Sequence, residues 1–565
     1  LHRNQNECFS SSNNPPDPRI LDLIEAGGAT KGEKLIAAIV DAEIAEAVVA
    51  QDDGAAGDRP QADSNDIGDG DETGQIIRQM NEQFTLVLHG SKAVIFWEQP
   101  HALPEDRVRI LTLDAFKTFH LNRFQVYSAC VKNEKTGEFD TVSKKRGVAP
   151  LWLTHPDRKQ AHGVEFYPDR DNASGTPGYF NLWRGFSVKP DFDTPKDVRW
   201  KKYAIFRDHL LTNVVDGDQT NFRWMFAWFA QMVQRPRERI GTAIVLRGRM
   251  GTGKTIPGMV IGSLFASHYF LVDDARYLTG NFNAHMASCL LLQVDEGIWA
   301  GDKAAEGRLK GLVTSEKQMI EAKGVDPIRL ANFVRLFFSS NEDWVVPAGL
   351  EERRFAVFDI AQHVMQNHEY FGAMLQELDA GGREALLADL LEFDLDAPGA
   401  PNLRAIPKTE GLLEQKLRSM EPVPAWWFGR LVEGTPTHRQ KDWTSKVPTR
   451  TLFNDFIRTA EKIGVRRKAD ETAFGIAMKK LLPVVAVVKS WETVEEYDTD
   501  GHICEIRKRV RCYTLPAIDE CRTFMEDRLG QSVDWDVRAG DGESEESSAQ
   551  NSEIGYHDDD VDAGR

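Results

Sequence analysis

The sequence predicts an α/β fold: a strand-and-helix core, a small α+β region before it and a helix-and-hairpin domain after it. Three stretches carry the prediction. Thr242-Ala-Ile-Val-Leu246 leads into the glycine-rich run Gly248-Arg-Met-Gly-Thr-Gly-Lys254-Thr255, Ser288-Cys-Leu-Leu-Leu-Gln-Val294 ends in Asp295-Glu296, and Phe333-Val-Arg-Leu-Phe-Phe-Ser-Ser340 ends at Asn341. Each reads as a short buried strand that stops at residues suited to phosphate or metal chemistry.

In the first stretch, Gly248, Gly251 and Gly253 let the backbone curl so that successive N–H groups point at phosphate oxygens. Lys254 reaches the β- and γ-phosphates, and the Thr255 hydroxyl completes a magnesium shell. A helix over 255–268 follows, and Pro257 is tolerated in its first turn, where no donor is needed. Strand, loop and helix together make a phosphate-binding loop, with ATP and Mg²⁺ as the expected ligands. Asp295 then holds the magnesium through water, and Glu296 orients and polarises the attacking water. Asn341 touches both the γ-phosphate and that water. Gly349-Leu-Glu-Glu-Arg-Arg-Phe355 begins a further strand directly after Arg353 and Arg354. One of the two arginines crosses a subunit interface to stabilise charge on the γ-phosphate.

The 565 residues (63.6 kDa) suffice for two to four domains. No apolar stretch reaches the roughly 18 residues of a membrane span, and no secretory signal is evident. Six scattered cysteines without a CxxC pair argue for a reduced intracellular protein, and Cys504 and Cys512 are not read as a zinc site. The net charge of −18 argues at first against nucleic acid. Residues 51–72, however, hold eight acids against one Arg and 541–565 hold nine against one, so these segments supply −15 of it. The rest is near neutral with local basic clusters, and local charge decides DNA binding.

In chain order, residues 1–72 form a mostly disordered acidic segment with one helix over Lys31–Val49. Residues 73–195 form a small α+β adaptor, with a helix over Gly74–Asn81, a hairpin from Phe84–Leu88 and Ala93–Trp97, and Arg123–Tyr127 added to the same sheet. Its aromatics Trp152, Phe166, Tyr167, Tyr179, Phe180, Trp183 and Phe186 read as packing against the core rather than as a single-strand platform. Residues 196–236 form a helical collar whose helix Asn221–Val233 is apolar nearly all round; His209, ahead of it, is read as structural. Residues 237–395 form the ATPase core. Within it, Lys310 and Lys323 are the candidates to grip DNA from a pore loop. Residues 396–445 form a helical linker with a packed Trp426-Trp427-Phe428 cluster. Residues 446–530 carry two helices and two strands, Val484–Lys489 and Ile503–Tyr513, which suggest a winged-helix domain. Its basic face holds Arg466, Arg467, Lys468, Lys479, Lys480, Arg507 and Arg509. Residues 531–565 form an acidic disordered tail.

The set Gly248–Thr255, Leu290–Glu296, Phe337–Asn341 and Arg353-Arg354-Phe355, with Asn181–Phe186 and Ala230–Pro236 before it, resembles superfamily 3 ring helicases. More narrowly it resembles the helicase part of phage and plasmid primase-helicases and phage primase-polymerases, over roughly residues 75–430. The resemblance implies an AAA+-like P-loop NTPase fold and ATP-driven 3′-to-5′ unwinding by a hexameric ring. It also implies functional roles at Lys254, Thr255, Asp295, Glu296, Asn341 and Arg354, with Arg353 as the alternative arginine. Single-stranded or forked DNA is then the substrate, in the bacterial cytoplasm, during phage, prophage or plasmid replication. No primase constellation of paired carboxylates with a histidine lies upstream of residue 150. A primase or polymerase partner is therefore expected on another chain or before Leu1, where the chain starts without Met. A remodelling ATPase with a protein client, or a non-catalytic replication scaffold, is the alternative function.

Overall fold

A computed structural model describes residues 69–538, apart from 133–136, 275–276, 279, 281–282, 297–302, 323–324, 466–467, 485, 498–502 and 537. The predicted helix Lys31–Val49, both acidic segments and the candidates Lys323, Arg466 and Arg467 lie outside the described residues.

Helix α1 (Asp69–Gln83) precedes the hairpin β1 (Phe84–His89) and β2 (Lys92–Glu98), paired antiparallel from Phe84↔Trp97 to His89↔Lys92. β3 (Val108–Leu111) adds beside β2, and a short parallel strand, Gln160–Ala161, adds beside β1. Arg123–Tyr127 does not join this sheet, contrary to expectation. Phe124–Lys132 (β4) pairs instead with Phe139–Gly147 (β5) in a separate two-stranded ribbon. The partner Phe-Asp-Thr-Val-Ser-Lys-Lys-Arg-Gly lacks apolar alternation, since the ribbon is largely exposed and needs no core face.

The central sheet is parallel and five-stranded. Its strands are β6 (Ala243–Arg247), β7 (Tyr269–Val272), β8 (Leu291–Asp295), β9 (Arg335–Ser340) and β10 (Phe355–Asp359), in spatial order β7-β8-β9-β6-β10. Burial on both faces explains their near-continuous apolar runs. Between β8 and β9 lie helix α2 (Lys303–Thr314) and an antiparallel hairpin, Lys317–Ala322 with Val325–Ala331. The turn of the β1–β2 hairpin reaches this second hairpin. The Ser91 backbone N–H donates to Asp326 Oδ2 at 3.2 Å, the Ser91 hydroxyl donates to the same atom, and a Cβ on Gly90 would stand 2.8 Å from that of Asp326.

Helix α3 (Gln219–Gln234) backs the sheet. Asp218 caps it, accepting from Thr220 N (2.7 Å) and Asn221 N (3.0 Å), and every residue from Trp224 to Val233 is buried. At its far end the buried Arg335 guanidinium donates to the carbonyls of Pro236 (3.0 Å), Glu238 (2.9 Å) and Arg235 (3.2 Å) and to Gln231 Oε1 (2.9 Å). That cage fixes the start of β9 to the collar. The predicted aromatic packing against the core holds for Phe166, Phe180 and Trp183, whereas Trp152 is buried in a separate cluster with Ile77, Phe84 and Phe116. Trp183 stacks on His268 with ring centroids 4.4 Å apart, and Tyr167 lies under the Arg237 guanidinium. His268 Nε2 accepts from the Arg184 N–H and Nδ1 donates to the Ser288 carbonyl, both at 2.8 Å, which is the neutral ring with its proton on Nδ1.

A second apolar core spans Leu413 to Val533. It includes α4 (Pro422–Glu433), which carries the buried Trp426, Trp427 and Phe428, then α5 (Thr449–Lys462), α6 (Glu471–Leu481) and α7 (Ile518–Leu529). A three-stranded antiparallel sheet joins them, with β11 (Lys446–Pro448), β12 (Ala486–Tyr497) and β13 (Ile503–Thr514) in the order β11-β13-β12.

Burial lowers the His268 pKa to about 3, helped by the charges of Arg184 and Arg107, and lowers that of His209 to about 4. Unfolded histidines titrate near 6.5, so between these values the unfolded chain binds more protons than the folded one. Stability is then full above about pH 6.5 and falls on acidification, by about 2 kcal/mol per histidine at pH 5. Urea midpoints at pH 7 and pH 5 measure this, and His268→Gln is expected to flatten the dependence.

Candidate nucleotide site

Parallel strands in an open sheet present their carboxyl ends on one edge, and ligands bind there, where the direction of winding reverses. Here β6 lies between the last strand and the fourth, and the three predicted stretches end on that edge from the adjacent strands β8, β9 and β6. The backbone locks them together. Gly248 N donates to the Ser340 carbonyl at 3.2 Å, and Glu296 N donates to the Ser339 carbonyl at 3.0 Å.

The loop after β6 turns through Gly251 and Gly253, at φ +81° and +85°. A Cβ at Gly253 would stand 2.7 Å from Phe371 and 2.8 Å from His209, and one at Gly251 would stand 2.9 Å from Gln366. The loop is therefore shaped from behind by packing as well as by its own dihedrals. His209 Nε2 lies 3.3 Å from the Gly253 carbonyl, and Gln366 N donates to the Gly251 carbonyl at 2.8 Å. His209 is structural in this sense: a buried neutral ring that seats the loop.

Lys254 is 6% exposed. Its ammonium donates to Asn341 Oδ1 and stands 3.9 Å from Glu296 Oε1, while Asn341 Nδ2 donates to that same Glu296 oxygen. Loop lysine, acid and amide thus meet from three strands. Glu296 holds φ +55°, a left-handed conformation uncommon for a residue with a Cβ, which aims its carboxylate back over the sheet edge. Thr255 Oγ1 and Asp295 Oδ1 lie 3.4 Å apart, and the Ser339 hydroxyl donates to Asp295 Oδ1 at 2.7 Å. A hydroxyl and a carboxylate are hard oxygen donors of the kind magnesium takes while phosphates and water complete its shell. Beneath them, Gln293 Nε2 donates to the Thr255 carbonyl at 3.0 Å and Gln293 Oε1 accepts from the Tyr269 hydroxyl at 2.7 Å. Ser339, Gln293 and His209 support the site, and for Gln293 and His209 no sequence signal points to that role. For Ser339 alone, a hydroxyl two residues before Asn341 on a buried strand is a usable hint.

Arg353 and Arg354 enter β10, which runs parallel to β6, so they sit at the edge away from the loop. A five-residue strand separates the two edges by roughly 16 Å. The buried Glu352 carboxylate accepts from the Arg353 and Arg354 N–H groups at 2.9 and 2.7 Å and pairs with the Arg354 guanidinium at 3.5 Å. Arg353 is exposed. Neither arginine joins the chain's own Lys254 group. Lys310, on α2, is half-buried, and Lys468 pairs with Glu461 at 2.7 Å. Lys479, Lys480, Arg507 and Arg509 are exposed on α6 and β13.

Residues 246–354 match the model of a family of unknown function, DUF5906. The match begins on β6 and ends at Arg354, so it encloses every candidate nucleotide-site residue. The chain is 27% identical over 266 residues to the DNA primase-polymerase of Nitratiruptor phage NrS-1, covering 44% of this chain and 35% of the relative. The chain thus spans about a third of the length of that curated relative. Its fold is similar to an apo structure of the NrS-1 C-terminal region, with a TM-score of 0.52 and 16% identity over 78% of this chain and 98% of that one. A second crystal form of the same region gives a TM-score of 0.52 at 15% identity.

Gly253→Ala is expected to lower the unfolding free energy by about 1–3 kcal/mol, because the new methyl meets Phe371 and His209 at a positive φ. Urea unfolding beside Gly349→Ala, which has nothing within 4 Å of the added carbon, measures the difference.

Proposed function

We propose that the chain is an ATP-dependent DNA helicase of phage or plasmid-type replication, with a P-loop NTPase core of the superfamily 3, AAA+-like kind. The convergence of Lys254, Glu296 and Asn341 from three adjacent strand ends carries this reading. Similarity to a phage primase-polymerase supports the replication setting and a primase or polymerase as a working partner.

In this reading the Gly248–Thr255 backbone and Lys254 hold the triphosphate of ATP, and Thr255 and Asp295 hold Mg²⁺. Bound there, the ion would supply positive charge against the phosphates. Lys254 leaves its contacts with Asn341 and Glu296 for the γ-phosphate. Glu296 is then free to orient water for in-line attack, and Asn341 bridges phosphate and water. Ser339 keeps Asp295 turned toward Thr255. The remote edge position of Arg353 and Arg354 supports a ring in which each chain completes its neighbour's site, and the resemblance to superfamily 3 helicases implies six chains in it. The connectivity β11-α5-α6-β12-β13 with sheet order β11-β13-β12 supports a winged-helix domain whose exposed Lys479, Lys480, Arg507 and Arg509 face DNA phosphates.

Strand displacement on forked DNA tests the reading directly. Wild type is expected to unwind, and Glu296→Gln to retain ATP binding while losing turnover and unwinding by about 100-fold or more. An ATPase rate indifferent to single-stranded DNA would sink it. Subunit sharing has its own test. Lys254→Ala and the double variant Arg353→Ala/Arg354→Ala are each expected to be inactive, yet an equal mixture should regain roughly a quarter of the wild-type rate, the share of interfaces pairing an intact loop with an intact arginine pair. No recovery on mixing would place the arginines outside the reaction.

A further inference from the structure

Among the described residues the longest strands are β12 and β13, paired over twelve positions from Ala486↔Thr514 to Tyr497↔Ile503. The third strand, β11, covers only Cys512 to Thr514. The pair therefore projects as a two-stranded arm of roughly 40 Å, most of it beyond the core. Directly opposed residues share a face, and the register places Val487 with Tyr513, Lys489 with Arg511, Trp491 with Arg509 and Thr493 with Arg507 on one face. Tyr513 anchors the base of that face in the second core at 6% exposure, whereas Trp491 is 62% exposed. Over these eight positions the face holds four cations, one bare indole and no carboxylate, and the next pair of the same parity, Glu495↔Glu505, bounds this cationic stretch. The acid of this stretch, Glu492, stands on the other face opposite Lys508.

An exposed indole costs the folded chain hydration free energy and gains nothing from internal packing. Set between guanidinium groups it matches a polyanion that also offers flat π-faces. Duplex DNA keeps its base faces stacked and shows only phosphates to such a surface, whereas a single strand shows both. We propose that this face of the β12–β13 arm binds single-stranded DNA, with Trp491 stacking on a base while Lys489, Arg507, Arg509 and Arg511 hold the flanking phosphates. The proposal rests on the DNA reading above and gives the substrate a second contact point outside the nucleotide-binding core. Arg507 and Arg509 thereby act on an unpaired strand rather than on duplex.

The test uses the full chain and a fluorescently labelled oligothymidylate, read by anisotropy. Trp491→Ala is expected to weaken binding by about 10-fold and Trp491→Phe by much less, because a phenyl ring still stacks. The triple change Arg507→Gln/Arg509→Gln/Arg511→Gln should reduce the slope of log affinity against log salt by about 2. Blunt duplex affinity should change little with Trp491→Ala, and DNA-free ATP turnover of that variant should stay at the wild-type rate. Unchanged single-strand affinity in both Trp491→Ala and the triple variant would overturn the proposal while leaving the helicase reading intact. An equal loss on blunt duplex, or a loss confined to binding of phosphatidylserine vesicles, would also overturn it. A wild-type chain that hydrolyses ATP but binds no oligothymidylate would remove both readings together.

Discussion

A buried ammonium ion must find acceptors, and the core of this molecule is arranged so that Lys254 finds them. Almost fully withdrawn from solvent, it is matched by an amide oxygen from one neighbouring strand and a carboxylate from the next. Burying a charge without such partners is prohibitive, so the ends of β6, β8 and β9 have to stay level. Much of the remaining structure serves that alignment. The Arg335 cage pins the beginning of β9 to the collar, the Trp183–His268 stack ties the adaptor to the start of β7, and Gln293 braces the loop from below.

The three strand ends of the candidate site were legible in the sequence because each combines a local period with a chemical stop. A buried run that ends in Gly-rich loop, Asp-Glu or Asn carries both signals within a few residues. Helix Asn221–Val233 and the Phe84–Trp97 hairpin were legible for the same reason, since one period runs unbroken in each. The pairing of Phe124–Lys132 was not, because its partner strand has no buried face to impose a period. Nor could the left-handed backbone at Glu296 be anticipated, since it arises where a strand end must redirect a carboxylate. The supporting roles of Gln293, Ser339 and His209 depend on neighbours 38 to 44 residues away. Only the folded chain brings those together.

Charge illustrates the same division between local and global information. The sum over the sequence is strongly acidic, yet the arm built from β12 and β13 presents a basic, aromatic face. Alternation along a strand sorts residues by parity, so Glu492 and Arg509 can occupy neighbouring positions in space and still face opposite ways. A total charge has no access to that sorting, and a register does.

The seat of Gly90 and Ser91 on Asp326 joins the first sheet to the hairpin between β8 and β9. Glycine is required there twice, once for the φ of +62° and once because any side chain would collide with Asp326. The contact is shallow, solvent-exposed and made at a single carboxylate. Like a detent, a contact of this kind fixes the position of the hairpin without involving any apolar core. The two sheets are thus registered to each other at one polar point rather than through a packed interface.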